Sequence, residues 1–264
     1  MTSTESLPGL PGSSMGRGLI QRHFTKDGQT FKDVFDGIKW DTRDALIENH
    51  KEPGAEPTFV QKGVEFPASW SQNSTNITSQ KYFRGQLDSP SREKSVRQII
   101  TRVATTITSW GVRYGYFEKV GPNPEDPNSW GPDADAFCAE LTHILVNQMA
   151  AFNSPVWFNV GFEEQPQCSA CFILSVEDTM DSILAWNTKE GKVFVGGSGS
   201  GINLSRIRGS MEPLSKGGKA SGPVSYMRGA DAWAGTIKSG GKTRRAAKMV
   251  VLDIDHPDIR EFIW

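Results

Sequence analysis

The sequence is poor in cysteine, with three in 264 residues, at positions 138, 168 and 171. An odd, low count does not build the disulfide framework of a small secreted domain. No apolar run is long enough to span a membrane, and the N-terminus has no hydrophobic signal core. Net charge is −1, so no overall basic field argues for nucleic acid, and any anionic ligand has to be met by a local cluster. Together these absences predict a cytoplasmic chain without membrane or nucleic-acid partners. A stop signal is lacking as well. The chain ends at Ile263-Trp264, inside an apolar helical pattern, with no cap, glycine or polar tail, so truncation is expected.

Hydrophobic residues make up 37%, enough for a core with much of the chain left to loops. Residues 1–20, rich in Thr, Ser, Gly and Pro, read as a disordered tail. Residues 21–90 are poorly periodic, with Trp40, Phe59, Phe66, Trp70 and Phe83 scattered among polar residues, and read as an extended arm wrapping another surface. Residues 91–152 read as a helical subdomain. One helix covers Glu93 to Gly111, with Val96, Ile99, Ile100, Val103, Ile107 and Trp110 on one face. A second covers Asp133 to Phe152, with Phe137, Leu141, Ile144, Leu145, Met149 and Phe152 inward.

From residue 153 the pattern alternates. Asn153 to Gly161 reads as a turn and short strand, and Ala170 to Val176 as a strand buried on both faces. A helix follows over Asp178 to Lys189. Ile202 to Leu204 reads as extended, Val224 to Ile237 as a helix, Lys248 to Ile254 as a buried strand, and a helix starts at Pro257. This order predicts an α/β fold with parallel strands.

Cys168 and Cys171 form a C-x-x-C pair. Zinc would need two more ligands at similar spacing, and a thioredoxin-like pair would sit at a helix N-terminus, whereas Cys171 opens a strand. Two structural thiols, or Cys171 as a lone redox thiol, remain as readings. Gly196-Gly-Ser-Gly-Ser-Gly201 fits neither a Rossmann fingerprint nor a Walker loop. It is either a flexible turn or backbone that approaches a phosphate or ribose. Asp178 and Asp181 stand at a helix start, where capping competes with a ribose contact for Asp178. Arg206, Arg208 and Lys216 could clamp phosphate or solvate a loop. Ser239 to Lys248 places Lys242, Arg244, Arg245 and Lys248 in a glycine-containing loop before a strand, a common place for ligand contacts. Asp253, Asp255, His256 and Asp258 are better explained by turn and N-cap chemistry than by a metal. No metal site is expected.

In combination these residues resemble the large catalytic chain of ribonucleotide reductase, and most closely its class II, adenosylcobalamin-dependent type. The resemblance runs from about Val64 to the end. It is densest in Phe152-Asn-Ser-Pro-Val-Trp-Phe-Asn159, Ser169-Ala-Cys-Phe-Ile-Leu174, Gly199-Ser-Gly-Ile-Asn-Leu-Ser-Arg-Ile-Arg208, Ala220-Ser-Gly-Pro-Val-Ser225 and Thr243-Arg-Arg-Ala-Ala-Lys-Met249 with Asp255-His-Pro-Asp258. It implies that residues 153–264 begin a ten-stranded α/β barrel, left incomplete. Cys171 would then be the first of two cysteines that reduce the ribose 2′ carbon and end as a disulfide, while Cys168 has no counterpart. Ser154, Ser169 and Ala170 would lie near the substrate's phosphates, and Gly197, Ser198 and Gly199 would face the ribonucleotide through backbone. Asp178 would contact the ribose of a deoxynucleoside triphosphate effector, with Arg208, and more loosely Lys216, on its phosphates. Lys242, Arg244 and Arg245 would lie on the loop linking effector to substrate. The resemblance further implies adenosylcobalamin, a thioredoxin-like reductant and a homodimer.

The family's radical cysteine, partner cysteine and catalytic asparagine and glutamate fall beyond residue 264. The isolated chain is therefore expected to be inactive, with an open sheet edge. Two other readings are a class I large chain, driven by a second subunit's radical, and a non-catalytic nucleotide-binding module.

Overall fold

A computed structural model describes residues 18–49, 54–237 and 245–264. The chain divides into two compact units, Met1–Phe152 and Asn153–Trp264.

In the first unit, α1 (Phe31–Asp36), an antiparallel hairpin of β1 (Trp40–Ile47) and β2 (Phe59–Pro67), and α2 (Gln72–Lys81) precede α3 (Val96–Arg113) and α4 (Pro132–Val146). Ser95 and Gln98 close a capping box at the start of α3, which buries Val96, Ile99, Ile100 and Val103 as its period predicts. Helix α4 stops at Val146, short of Phe152. It buries its small face, including Ala134, Ala136 and Ala139, while Met149 lies beyond the helix and is exposed.

Residues 21–90, expected as an extended arm, instead hold two helices and the hairpin. Their order comes from arginines as much as from apolar periodicity. Arg43 donates to the carbonyls of Trp70, Pro67 and Ala68, at 2.6, 3.2 and 3.1 Å. Arg92 donates to those of Phe83, Gly85 and Ser79, at 2.7, 3.1 and 2.5 Å. Each guanidinium satisfies carbonyls that no ladder reaches, which a hydrophobicity pattern does not register. The expected tail lies outside the described residues except for 18–20. There the amides of Gly18, Leu19 and Ile20 donate to Asp133 of α4. One turn-pair further along α4, Glu140 accepts the amides of His23, Phe24 and Thr25.

The second unit is a three-stranded parallel sheet in the order β3 (Cys171–Leu174), β4 (Gly199–Asn203), β5 (Lys248–Val251). Helix α6 (Met180–Val195) crosses from β3 to β4, and α7 (Gly222–Thr236) from β4 to β5. Val176, Ile183, Trp186, Ile202, Leu204, Ile207, Ala230 and Leu252 form the core between sheet and helices. Among the described residues the strands do not close into a barrel.

Several local expectations change. Asn153 to Gly161 holds no strand: Ser154–Asn159 is helix α5, because Pro155 suits a first helical turn better than a ladder. Strand β3 is not buried on both faces. It alternates and leaves Ile173 88% exposed, as β5 leaves Met249 67% exposed, so the sheet face away from α6 and α7 is bare. Half of the expected glycine loop is strand β4, the centre of the sheet. The final helix α8 (Ile259–Ile263) starts at Ile259 rather than Pro257.

Candidate functional site

Parallel strands send all their C-terminal ends to one edge of the sheet, and ligands in such sheets gather there. At that edge Asp178 follows β3 and Arg208 follows β4. Asp178 is free of capping duty because Thr179 is the N-cap of α6, accepting from Ser182 N. Arg208 Nε donates to Asp178 Oδ2 at 2.5 Å, and both residues are part-exposed. They line a cleft of about 260 Å³ with Thr179, Met180, Ile183, Ile207, Leu214, Ala220, Ser221, Gly222 and Tyr226. The cleft is apolar at Ile183 and Leu214 and charged at one wall. Lys216 is exposed on the 211–219 loop and does not line it, and Arg206 pairs with Glu177 instead.

The opposite edge gathers the other predicted residues. Cys171 is the first residue of β3 and exposed. Ser198 Oγ donates to Ser169 O at 2.6 Å and Gly199 N to Ala170 O at 2.8 Å, so the turn before Cys171 is latched to the turn before β4. Gln167 reaches the same place by donating to Val193 O and Ser198 Oγ. Asn159 of α5 donates to the carbonyls of Gln167 and Gly196, at 2.7 and 3.2 Å. Ser154 opens that helix.

The glycine loop does not present bare amides. The N–H groups of Gly197, Ser198, Gly199 and Ser200 donate to the carbonyls of Phe194, Val193, Ala170 and Ala247. Gly197, Ser198 and Gly199 are buried and hold up the Ser169–Cys171 turn from behind. Lys242 and Arg244 lie outside the described residues, and Arg245 is exposed.

The thiols differ sharply. Cys138 lies inside α4, and burial pushes its thiol up to about 12. Cys168 is half-buried, its thiol raised by the same cause and donating weakly to Pro166 O at 3.6 Å.

Composition gave no hint of one further group. Glu190 of α6 is fully buried, and Lys248, expected in the basic ligand loop, is bonded to it at 2.6 Å. Ser200 Oγ donates to the same carboxylate at 2.6 Å. Asp258 stands at the N-cap of α8 without a capping bond and turns to Ser210, accepting from its amide and hydroxyl at 2.9 and 3.0 Å. Among the described residues no three His, Cys, Asp or Glu side chains converge to hold a metal.

A parallel sheet with helical crossovers, with a charged cleft at its C-terminal edge and an exposed thiol at the other, defines an α/β protein. A family model described as the barrel domain of ribonucleotide reductase matches residues 169–264, and one for class II vitamin B12-dependent ribonucleotide reductase matches residues 44–148. The vitamin B12-dependent ribonucleotide reductase of Streptomyces coelicolor is 50% identical over 268 residues, covering 100% of this chain and 26% of its own length. The one of Rhodopirellula baltica is 42% identical, covering 96% of this chain and 26% of itself. A vitamin B12-dependent ribonucleoside-diphosphate reductase of Mycobacterium tuberculosis is 40% identical over 112 residues, which are 42% of this chain and 16% of that protein. The chain belongs to the ribonucleotide reductase family, in its class II, vitamin B12-dependent branch. It spans about a quarter of the length of the curated relatives it matches.

Proposed function

We propose that this chain is the effector-binding and first thiol-bearing part of a class II ribonucleotide reductase, an enzyme that replaces the ribose 2′-hydroxyl by hydrogen. The observation that carries this is the placement of Asp178 and Arg208 in one cleft, at the opposite strand ends from Cys171. The carboxylate suits ribose hydroxyls. The pair engages Nε of Arg208, and its terminal NH₂ groups are the donors a phosphate would take. A deoxynucleoside triphosphate is the proposed occupant. Lys216, on the exposed loop that also carries the cleft-lining Leu214, is proposed as a second phosphate contact.

Cys171 is proposed as one of two reducing thiols. Two thiols together supply two electrons and two protons: one hydrogen ends on the 2′ carbon, the other proton goes to the departing hydroxyl, which leaves as water, and the two sulfurs form a disulfide. The second thiol is proposed to come from sequence beyond Trp264, and a thioredoxin-like dithiol restores the pair. Ser154, Ser169 and Ala170 are proposed beside the substrate's phosphates, with Lys242, Arg244 and Arg245 on the loop between the sites. Adenosylcobalamin, as the branch implies, would supply the starting radical. The described residues show no side-chain set shaped to hold it.

A homodimer is proposed through α6. Met180, Leu184, Asn187, Thr188, Gly191 and Val195 recur at helical spacing on one face, with Trp233 of α7 beside them, and Met180, Leu184, Val195 and Trp233 are exposed. The full assembly is proposed to continue the sheet into a ten-stranded barrel, and the setting to be cytoplasmic. The test is equilibrium binding of dATP, dTTP and dGTP to the chain. Arg208→Ala should weaken triphosphate binding by about tenfold or more, the worth of a charge-assisted pair. Unchanged binding in Arg208→Ala and Asp178→Asn would refute the cleft as the effector seat.

A further inference from the structure

The Asp255-His256-Pro257-Asp258 motif lies at the C-terminal edge of the sheet, just past β5. His256 is buried against the segment that carries Arg208. Its Nε2 lies 2.8 Å from Ile207 O, and Asp258 N donates to its Nδ1 at 3.0 Å. A carbonyl can only accept and an amide N–H can only donate, so the ring is the neutral Nε2–H tautomer. Asp258 grips the other side of the arginine through Ser210. Gly209 lies against Pro257, where an added Cβ would stand 3.0 Å from Pro257 Cβ. Residues 207, 209 and 210 are thus held by three consecutive residues of one turn, with Arg208 in the middle. Arg208 lines the cleft beside Ile207, and its Nε reaches Asp178 there.

We infer that His256 is a positioning residue for Arg208: through Nε2–H on Ile207 O it fixes the backbone from which the guanidinium reaches Asp178 and any anion in the cleft. The proposal rests on reading the cleft as an anion seat, but its geometric half stands apart from that reading. Arg208 needs such support because it leaves a turn rather than a strand or helix, and a long side chain on a loose turn loses more freedom on binding.

Two conservative variants separate the two ring bonds. His256→Gln can place an amide donor near the Nε2 position and keep the Ile207 bond. His256→Asn can keep an acceptor for Asp258 N–H but falls short of Ile207. In the 264-residue chain the Arg208 Nε–H resonance, shifted by its bond to Asp178, should persist in His256→Gln and broaden or move in His256→Asn. With dTTP as probe, affinity should stay within about twofold in His256→Gln and fall about tenfold in His256→Asn. A circular dichroism melt shows whether both variants fold. A part played only in stability would lower both melts and leave the resonance and affinity alike in the two, which overturns the proposal. If dTTP fails to bind the wild-type chain, the cleft reading falls, and the Arg208 resonance still decides whether His256 aims the side chain.

Discussion

Lys248 Nζ sits 2.6 Å from Glu190 Oε2, a pair joining the first residue of β5 to the middle of α6 across 58 residues of sequence. The carboxylate has no exposure at all, and Ser200 of β4 and the Trp186 indole donate to its other oxygen. The ammonium also lies over the rings of Trp186 and Phe194, at 5.6 and 5.9 Å.

Breaking this pair from one side leaves a buried charge alone. Lys248→Met is expected to cost about 3–5 kcal/mol, and Lys248→Met with Glu190→Met to recover much of it. Urea unfolding of the single and double variants measures the coupling. A single-variant cost within the error of the wild type would contradict it.

The thiols should separate by rate. At pH 8 an alkylating reagent is expected to modify exposed Cys171 first and half-buried Cys168 more slowly. Cys138, whose thiol is pushed up to about 12, should react only when the first unit opens. Peptide mass mapping over time reads the order, and early labelling of Cys138 would contradict it.

Two glycines of α7 should respond oppositely to alanine. Gly222 has φ +74°, and a Cβ there would overlap Asp258 and Ser210, so Gly222→Ala is expected to destabilise by about 1–3 kcal/mol. Gly229 faces open space within the same helix, so Gly229→Ala should stabilise by about 0.5–1 kcal/mol. Denaturant midpoints decide both signs.

The 23–25 segment is expected to let go in acid. Burial raises Glu140, but bonds from the Thr25 hydroxyl and the amides of Phe24, His23 and Thr25 outweigh it, and the carboxyl is held below its usual range. A lowered folded value means stability that is present above the ordinary glutamate value of about 4.3 and lost as pH falls through the folded value. Amide exchange at 23–25 should therefore stay protected near pH 5 and speed up beyond its intrinsic trend in stronger acid. Glu140→Gln should lose the protection at every pH.

What was legible in the sequence follows from how each element is stabilised. Helix α3 announced itself because its burial is periodic and its cap is local. The strands of the second unit were legible as parallel because helices separate them, although β3 and β5 are only half-covered. The hairpin at residues 40–67 was not, because Arg43 ties it to the carbonyls of Pro67, Ala68 and Trp70 and Arg92 holds it through the Gln61 side chain, contacts distant in sequence. Helix α5 was misread because Val156, Trp157 and Phe158 look like strand residues while Pro155 sets a helical turn. The grouping of Asp178 with Arg208 came only through family resemblance. A charged residue on a helix normally reads as solvated, so nothing in the sequence marks Glu190 as buried against Lys248.

The order of the sheet also sets a timetable for synthesis. Each strand meets its neighbour only after a whole crossover helix, so no two strands of the second unit can zip as a hairpin while the chain emerges. Strand β3 has to wait for β4, and Glu190 stays hydrated until its lysine leaves the ribosome 58 residues later. Until then Phe172, Leu174 and the inner face of α6 have no sheet to cover them. Apolar surface left open in this way is what makes a partly made chain prone to aggregate.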